Sequence, residues 1–110
     1  MNIQIFGKSK CFDTKKAERY FTERRIKFQS VDLIKYGLSP GELQSVIRAV
    51  GGLDKLLNPK IDTSSLTYLA YEEDKLQKLL DNPVFLLTPI VRNGKQATVG
   101  YQPEVWKAWA

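Results

Sequence analysis

The chain has 110 residues, 43% hydrophobic and 26% charged, with a formal net charge of +5, which predicts one domain spanning 1–110 with a core of its own. Its single cysteine excludes an internal disulfide and a cysteine-rich zinc site, and the absence of histidine removes Ser-His-Asp, Cys-His and His-ligated metal chemistry. No apolar run approaches the ~20 residues of a membrane span, and acids are interspersed among the basic residues, so neither a membrane nor nucleic acid is an expected partner.

Met1 to Phe6 has no basic segment leading into an apolar stretch, so it does not read as a leader, and the cytoplasm is the expected compartment. Asn2 to Phe6 alternates in polarity and predicts a first strand. Gly7 to Lys10 is a loop, and Cys11 follows it. Ala17, Tyr20, Phe21 and Arg24 then recur on one face of a helix, with Lys15, Glu18, Arg19 and Glu23 expected outside. Lys27 to Asp32 alternates again as a second strand. Strand, helix and strand within about thirty residues make a right-handed βαβ unit with parallel strands.

Ser39-Pro40-Gly41-Glu42 carries an N-cap serine, a proline at the first helical position and a capping-box glutamate. Leu43, Val46, Ile47 and Val50 continue that helix to the Gly51-Gly52 stop, which is fully explained as a C-cap. Leu53 to Tyr71 is irregular, with turns at Asn58-Pro59 and Asp62 to Ser65 and a short helix between Leu66 and Ala70. Glu72 to Asn82 is helical, burying Leu76, Leu79 and Leu80, until Pro83 ends it. Phe85 to Val91 leads into a strand, and Asn93-Gly94 predicts a hairpin joining Ile90–Arg92 to Gln96–Val99. Gly100 breaks the pattern, and Pro103 opens a last helix carrying Val105, Trp106 and Trp109 as packing residues. The order predicts an α/β, thioredoxin-like fold: a four-stranded mixed sheet from a βαβ unit and a C-terminal ββα unit, with a helical insertion between them.

Cys11 falls between a strand and the first turn of a helix. Unpaired N–H groups and the positive end of the helix dipole there favour a thiolate, and Lys8, Lys10, Lys15 and Lys16 add positive charge against Asp13. Cys11 is the candidate nucleophile; a spare, half-exposed thiol is the alternative. Thr14, one turn on, is placed either to donate to the sulfur or to cap the helix. Ser9 is a second potential donor, more simply a loop residue. Lys15 and Lys16 point about 100° apart, so only one of them can face the thiolate, and Lys15 is taken as its support.

Several segments together resemble the arsenate reductase/Spx family, the ArsC-like branch of the thioredoxin superfamily. They are the strand-Gly-x-x-x-Cys11-x-x-Thr-Lys-Lys-Ala run, Leu56-Leu57-Asn58, Asn82-Pro83, Thr88-Pro89-Ile90 and Val99-Gly100-Tyr101. The Cys-Asp-Thr-x-Lys-Lys-Ala helix start of the branch known as YffB looks nearest. The resemblance implies Cys11 as the catalytic thiol, forming a mixed disulfide with glutathione or another small or protein thiol, with glutaredoxin as a potential partner. Glutathione is then a co-substrate, with no bound cofactor, and a monomer is expected. It further implies a cis Thr88-Pro89 bond facing the cysteine loop. The exposed backbone of Thr88 would pair with substrate, and Asn58 and Lys60 would lie in the anion-binding loop. Two departures follow from the comparison. The positions matching the family's three arsenate-binding arginines are Asn58, Thr88 and Gln102, none cationic. The second cysteine of the Spx Cys-x-x-Cys motif is replaced by Thr14. Efficient arsenate reduction is therefore not expected, and a dithiol switch cannot form. Arg92 lies beside a hairpin turn and is expected to be a surface charge. The alternatives of a different class are a non-enzymatic regulator binding the RNA polymerase α subunit, as Spx proteins do, and a true glutathione/glutaredoxin-coupled arsenate reductase.

Overall fold

Strand β1 (Ile3–Gly7) is buried on both faces, and the rest of the chain is arranged around it. The computed structural model describes residues 1–109, save the side chain of Thr67. Helix α1 (Phe12–Glu23) crosses over to β2 (Phe28–Asp32), which pairs parallel with β1 from Ile3 opposite Phe28 to Gly7 opposite Asp32. Strand β3 (Ile90–Asn93) runs antiparallel along the other edge of β1, and β4 (Gln96–Val99) closes the hairpin predicted from Asn93-Gly94. The sheet order is β2-β1-β3-β4, the mixed four-stranded sheet of a thioredoxin-like fold.

The period of two along the central strands divides the core between the faces of the sheet. Ile3, Ile5 and Val91 meet Ala17, Tyr20 and Phe21 of α1 and Trp106 of the terminal helix. Phe6 and Ile90, on the opposite parity, meet the leucine-rich middle of the chain. That middle contains α2 (Leu33–Tyr36), α3 (Pro40–Val50), a 3-10 turn (Leu53–Leu56), α4 (Ser64–Thr67) and α5 (Glu72–Asp81). A second 3-10 turn (Pro83–Phe85) leads to β3, and α6 (Pro103–Trp109) ends the fold. Trp106 is 1% exposed, and its indole N–H donates to the buried Thr98 hydroxyl at 2.7 Å, so its large apolar surface is buried without an orphaned donor.

The α3 cap forms as its sequence dictates. Ser39 Oγ accepts from the Glu42 N–H, Glu42 Oε1 accepts from the Ser39 N–H, and Gly51 closes the helix at φ 92°. Three elements go beyond the sequence reading: α2, whose cap is the Asp32 carboxylate, and the two 3-10 turns. Each is a single turn with no periodicity to read, and α2 and the first 3-10 turn are held by Leu33 and Leu56 in the core. The short helix expected over Leu66 to Ala70 lies earlier, at Ser64–Thr67.

Arg92 is not the surface charge expected from its place near a turn. Its Nη1 donates to Gln4 Oε1 at 2.8 Å and lies 3.5 Å from Glu42 Oε2, with the side chain 17% exposed. The reason is register: Arg92 pairs with Gln4 across β1, on the face covered by α3. It ties the sheet to the capping box. Among the described residues no helix is long and apolar enough to cross a membrane.

Candidate functional site

Cys11 is the N-cap of α1, with extended backbone angles of φ −91° and ψ 116°. The loop that delivers it is held from both sides. The Cys11 N–H donates to the Lys8 carbonyl at 3.1 Å, and the Lys8 N–H donates to Thr14 Oγ1 at 3.4 Å. Gly7 is required just before the loop, because a Cβ there would collide with the Thr14 methyl and approach Thr14 Oγ1 to 2.7 Å. Thr14 is therefore buried against the backbone rather than turned outward.

The neutral Cys11 thiol donates to the Thr88 carbonyl at 3.6 Å. Partial burial pushes this thiol up. Hydrogen bonds to the thiolate from Thr14 and Thr88 and from the Thr14 and Asp13 N–H groups outweigh it, so ionisation falls below the ordinary thiol range. The Thr14 hydroxyl is one of the groups that favour the ionised sulfur. Its oxygen accepts from Lys8 N–H, which leaves its own proton to be donated to the sulfur.

A cleft of about 500 Å³ opens over Cys11. Lys8, Lys10, Phe12 and Asp13 form one wall, Asn58 and Lys60 a second, and Thr88 the third. Cys11, Asn58, Lys60 and Thr88, up to 77 residues apart, are brought together there. Asn58 makes an Asx turn, its Oδ1 accepting from the Lys60 N–H at 3.0 Å, so the neutral side chain shapes the loop and Lys60 is its cation. The Thr88-Pro89 peptide bond is cis, as the resemblance implies, and Pro89 is buried immediately before β3.

Other expectations are corrected. Lys15 is not among the groups lining this cleft: its ammonium lies 5.9 Å from the centre of the Phe12 ring, and it borders a separate cleft with Ser9, Glu18 and Asp32. Lys16 is no substitute, since it pairs with Asp13 at 3.9 Å and lies over Tyr101. Thr88 does not present an open backbone edge either. It is 5% exposed, because its carbonyl faces Cys11 and its neighbour Leu87 donates to the Leu56 carbonyl at 2.7 Å. Gln102 lies outside the cleft, its amide donating to the Val99 carbonyl.

The group that sequence reasoning did not single out is the Lys8 side chain. Its ammonium donates to the Val84 carbonyl at 3.3 Å and the Leu86 carbonyl at 2.9 Å. Lys8 was legible only as one of four lysines near the cysteine, since its partners are backbone atoms 76 and 78 residues away.

The ArsC family model matches residues 6–109. A global transcriptional regulator Spx 2 from Oceanobacillus iheyensis is 30% identical over 109 residues, covering 94% of this chain and 80% of that protein. Among solved structures, a putative ArsC family related protein from Bacteroides fragilis is similar with a TM-score of 0.85 at 21% identity, covering 100% of this chain and 98% of its own. An arsenate reductase from Vibrio cholerae is similar with a TM-score of 0.81 at 20% identity, covering 96% and 94%. Those two structures speak to the fold, and the family match spans all three walls of the Cys11 cleft. This chain belongs to the ArsC family, within the thioredoxin-like superfamily.

Proposed function

We propose that this protein is a thiol oxidoreductase with a single reactive cysteine, working through a mixed disulfide between Cys11 and glutathione or another small or protein thiol. The observation that carries this reading is the Cys11 sulfur at the start of α1, facing a cleft with three lysines and within reach of hydroxyl and N–H donors that favour its ionised form. The thiolate attacks one sulfur of a disulfide such as oxidised glutathione. A new S–S bond forms at Cys11, the original one breaks, and the departing thiolate takes a proton from solvent. The chain has no second cysteine, so an external thiol, from glutathione or a glutaredoxin, must attack the mixed disulfide and supply the electrons that return Cys11 to its reduced form.

Arsenate is a poor substrate in this reading. Of the three positions matching the family's arginines, Asn58 and Thr88 face the cleft with neutral groups and Gln102 lies outside it. Neutral hydrogen bonds are roughly half as strong as charge-assisted ones, so binding of a desolvated oxyanion is weakened. The test of the main reading is intact-protein mass spectrometry after exposure to oxidised glutathione. One glutathione adduct is expected, and none in Cys11→Ser; an unmodified parent protein overturns the reading.

The 30% identity to a global transcriptional regulator favours a second reading, in which the chain binds the RNA polymerase α subunit as a non-enzymatic regulator. Capture of purified α subunit by the tagged protein supports it, and no retention removes it.

A further inference from the structure

Lys8 contacts the cysteine loop, the first turn of α1 and the 84–86 segment, each through a different atom. Its carbonyl accepts from the Cys11 N–H, its N–H donates to Thr14 Oγ1, and its ammonium bonds the Val84 and Leu86 carbonyls. Those carbonyls belong to the segment that runs directly into Leu87 and Thr88, the residue whose carbonyl meets the Cys11 sulfur. The ammonium has three protons, and two are held by these carbonyls. The side chain is half-buried and borders the cleft.

We propose that Lys8 is the positioning residue of the Cys11 site: its ammonium clamps the 84–88 segment against the cysteine loop and supplies the fixed cation that holds Cys11 as a thiolate. This rests on the reading of Cys11 as a working nucleophile. Other charged groups bordering the cleft are Lys10 and Asp13 on the cysteine side and Lys60 on the opposing loop. Lys10 and Lys60 are exposed, with flexible stems, and Asp13 is paired with Lys16. Lys8 differs because two carbonyls fix its position, so its field on the sulfur is not diluted by side-chain motion or screened by salt to the same degree. Electrostatics agrees from the lysine's side: burial lowers the Lys8 ammonium, and the facing Cys11 charge raises it in part. The neutral sulfur needs only the Thr88 carbonyl, whereas the thiolate gains the Thr14 and Thr88 hydroxyls.

The experiment is a pH profile of iodoacetamide alkylation of Cys11 in the parent protein and in Lys8→Met, Lys8→Arg and Lys15→Met, the last a lysine outside the cleft, with a thermal melt of each. Lys8→Met keeps the stem and removes the charge. Its alkylation at pH 7 is expected to fall at least about threefold, with the inflection moved to higher pH. Lys8→Arg is expected to restore most of the rate, and Lys15→Met to change it little. A Lys8→Met profile equal to the parent's overturns the proposal even if the melt is lowered, since a purely structural role would move only the melt. Equal losses in Lys8→Met and Lys15→Met, or no recovery in Lys8→Arg, overturn it as well. Should Lys8→Met fail to fold, NMR titration of the Lys8 side chain in the parent and in Cys11→Ser decides. Coupling is reciprocal, so loss of the thiolate must lower the Lys8 midpoint, and identical midpoints overturn the proposal. If the parent thiol itself inflects at the ordinary value, the functional reading fails. If it inflects low but is indifferent to Lys8, only this inference fails.

Discussion

The Cys11 sulfur lies 3.6 Å from the carbonyl oxygen of Thr88, a residue 77 positions away, and each thereby sets the other's surroundings. The carbonyl favours the neutral thiol, while the threonine hydroxyls favour the thiolate, and the net effect lowers ionisation below the ordinary thiol range. Thr14→Val and Thr88→Val should therefore each raise the pH at which Cys11 becomes reactive. The thiolate absorbance at 240 nm, followed against pH in each variant, checks the direction; a downward movement in either would contradict the assignment of donors.

The same shift makes stability depend on pH with a definite sign. Cys11 ionises more easily folded than unfolded, so its stabilising contribution is fully present above the ordinary thiol value and is lost as pH falls through the lower native value. The difference in urea midpoint between the parent and Cys11→Ser should accordingly grow in the parent's favour from neutral to alkaline pH. A difference that stays constant would mean that the native thiol is unperturbed.

Gly7→Ala should cost about 2–3 kcal/mol, because the added methyl meets Thr14 where the loop folds back on α1. Chemical denaturation of Gly7→Ala and of Gly7→Ala/Thr14→Ser checks it. The double variant removes the Thr14 methyl and is expected to recover part of the loss, a coupling that two distant sites would not show.

Arg25 follows α1 in the left-handed region at φ 57°, where the chain closes the helix with the Ile26 N–H on the Phe21 carbonyl. Glycine takes that conformation without the Cβ penalty. Arg25→Gly is expected to stabilise the fold by about 0.5–1 kcal/mol, measured as a rise in the denaturation midpoint.

Glu42 serves two partners with two oxygens, the Ser39 N–H through Oε1 and Arg92 through Oε2. Glu42→Gln retains a carbonyl for the cap and should cost under about 1 kcal/mol. Glu42→Ala removes both contacts and should cost about 1–2 kcal/mol. Equal costs would show that the cap contributes nothing.

The βαβ start, the α3 cap and the Asn93-Gly94 hairpin were determined by sequence alone. These are local matters: period, capping chemistry and turn residues act within a few positions of one another. Cys11, too, was legible, because its place between a strand and a helix is itself a local feature. The tertiary structure alone decided where each charge around the cleft is held. Four lysines flank Cys11 in sequence, yet Lys15 lies over Phe12, Lys16 pairs with Asp13, and Lys8 is fixed by two carbonyls from the far half of the chain. Arg92 was misread for the same reason, since its partners Gln4 and Glu42 meet it only once β1, β3 and α3 have assembled. A long cationic side chain has no preferred direction in sequence; the carbonyls and carboxylates that fix it are chosen by packing.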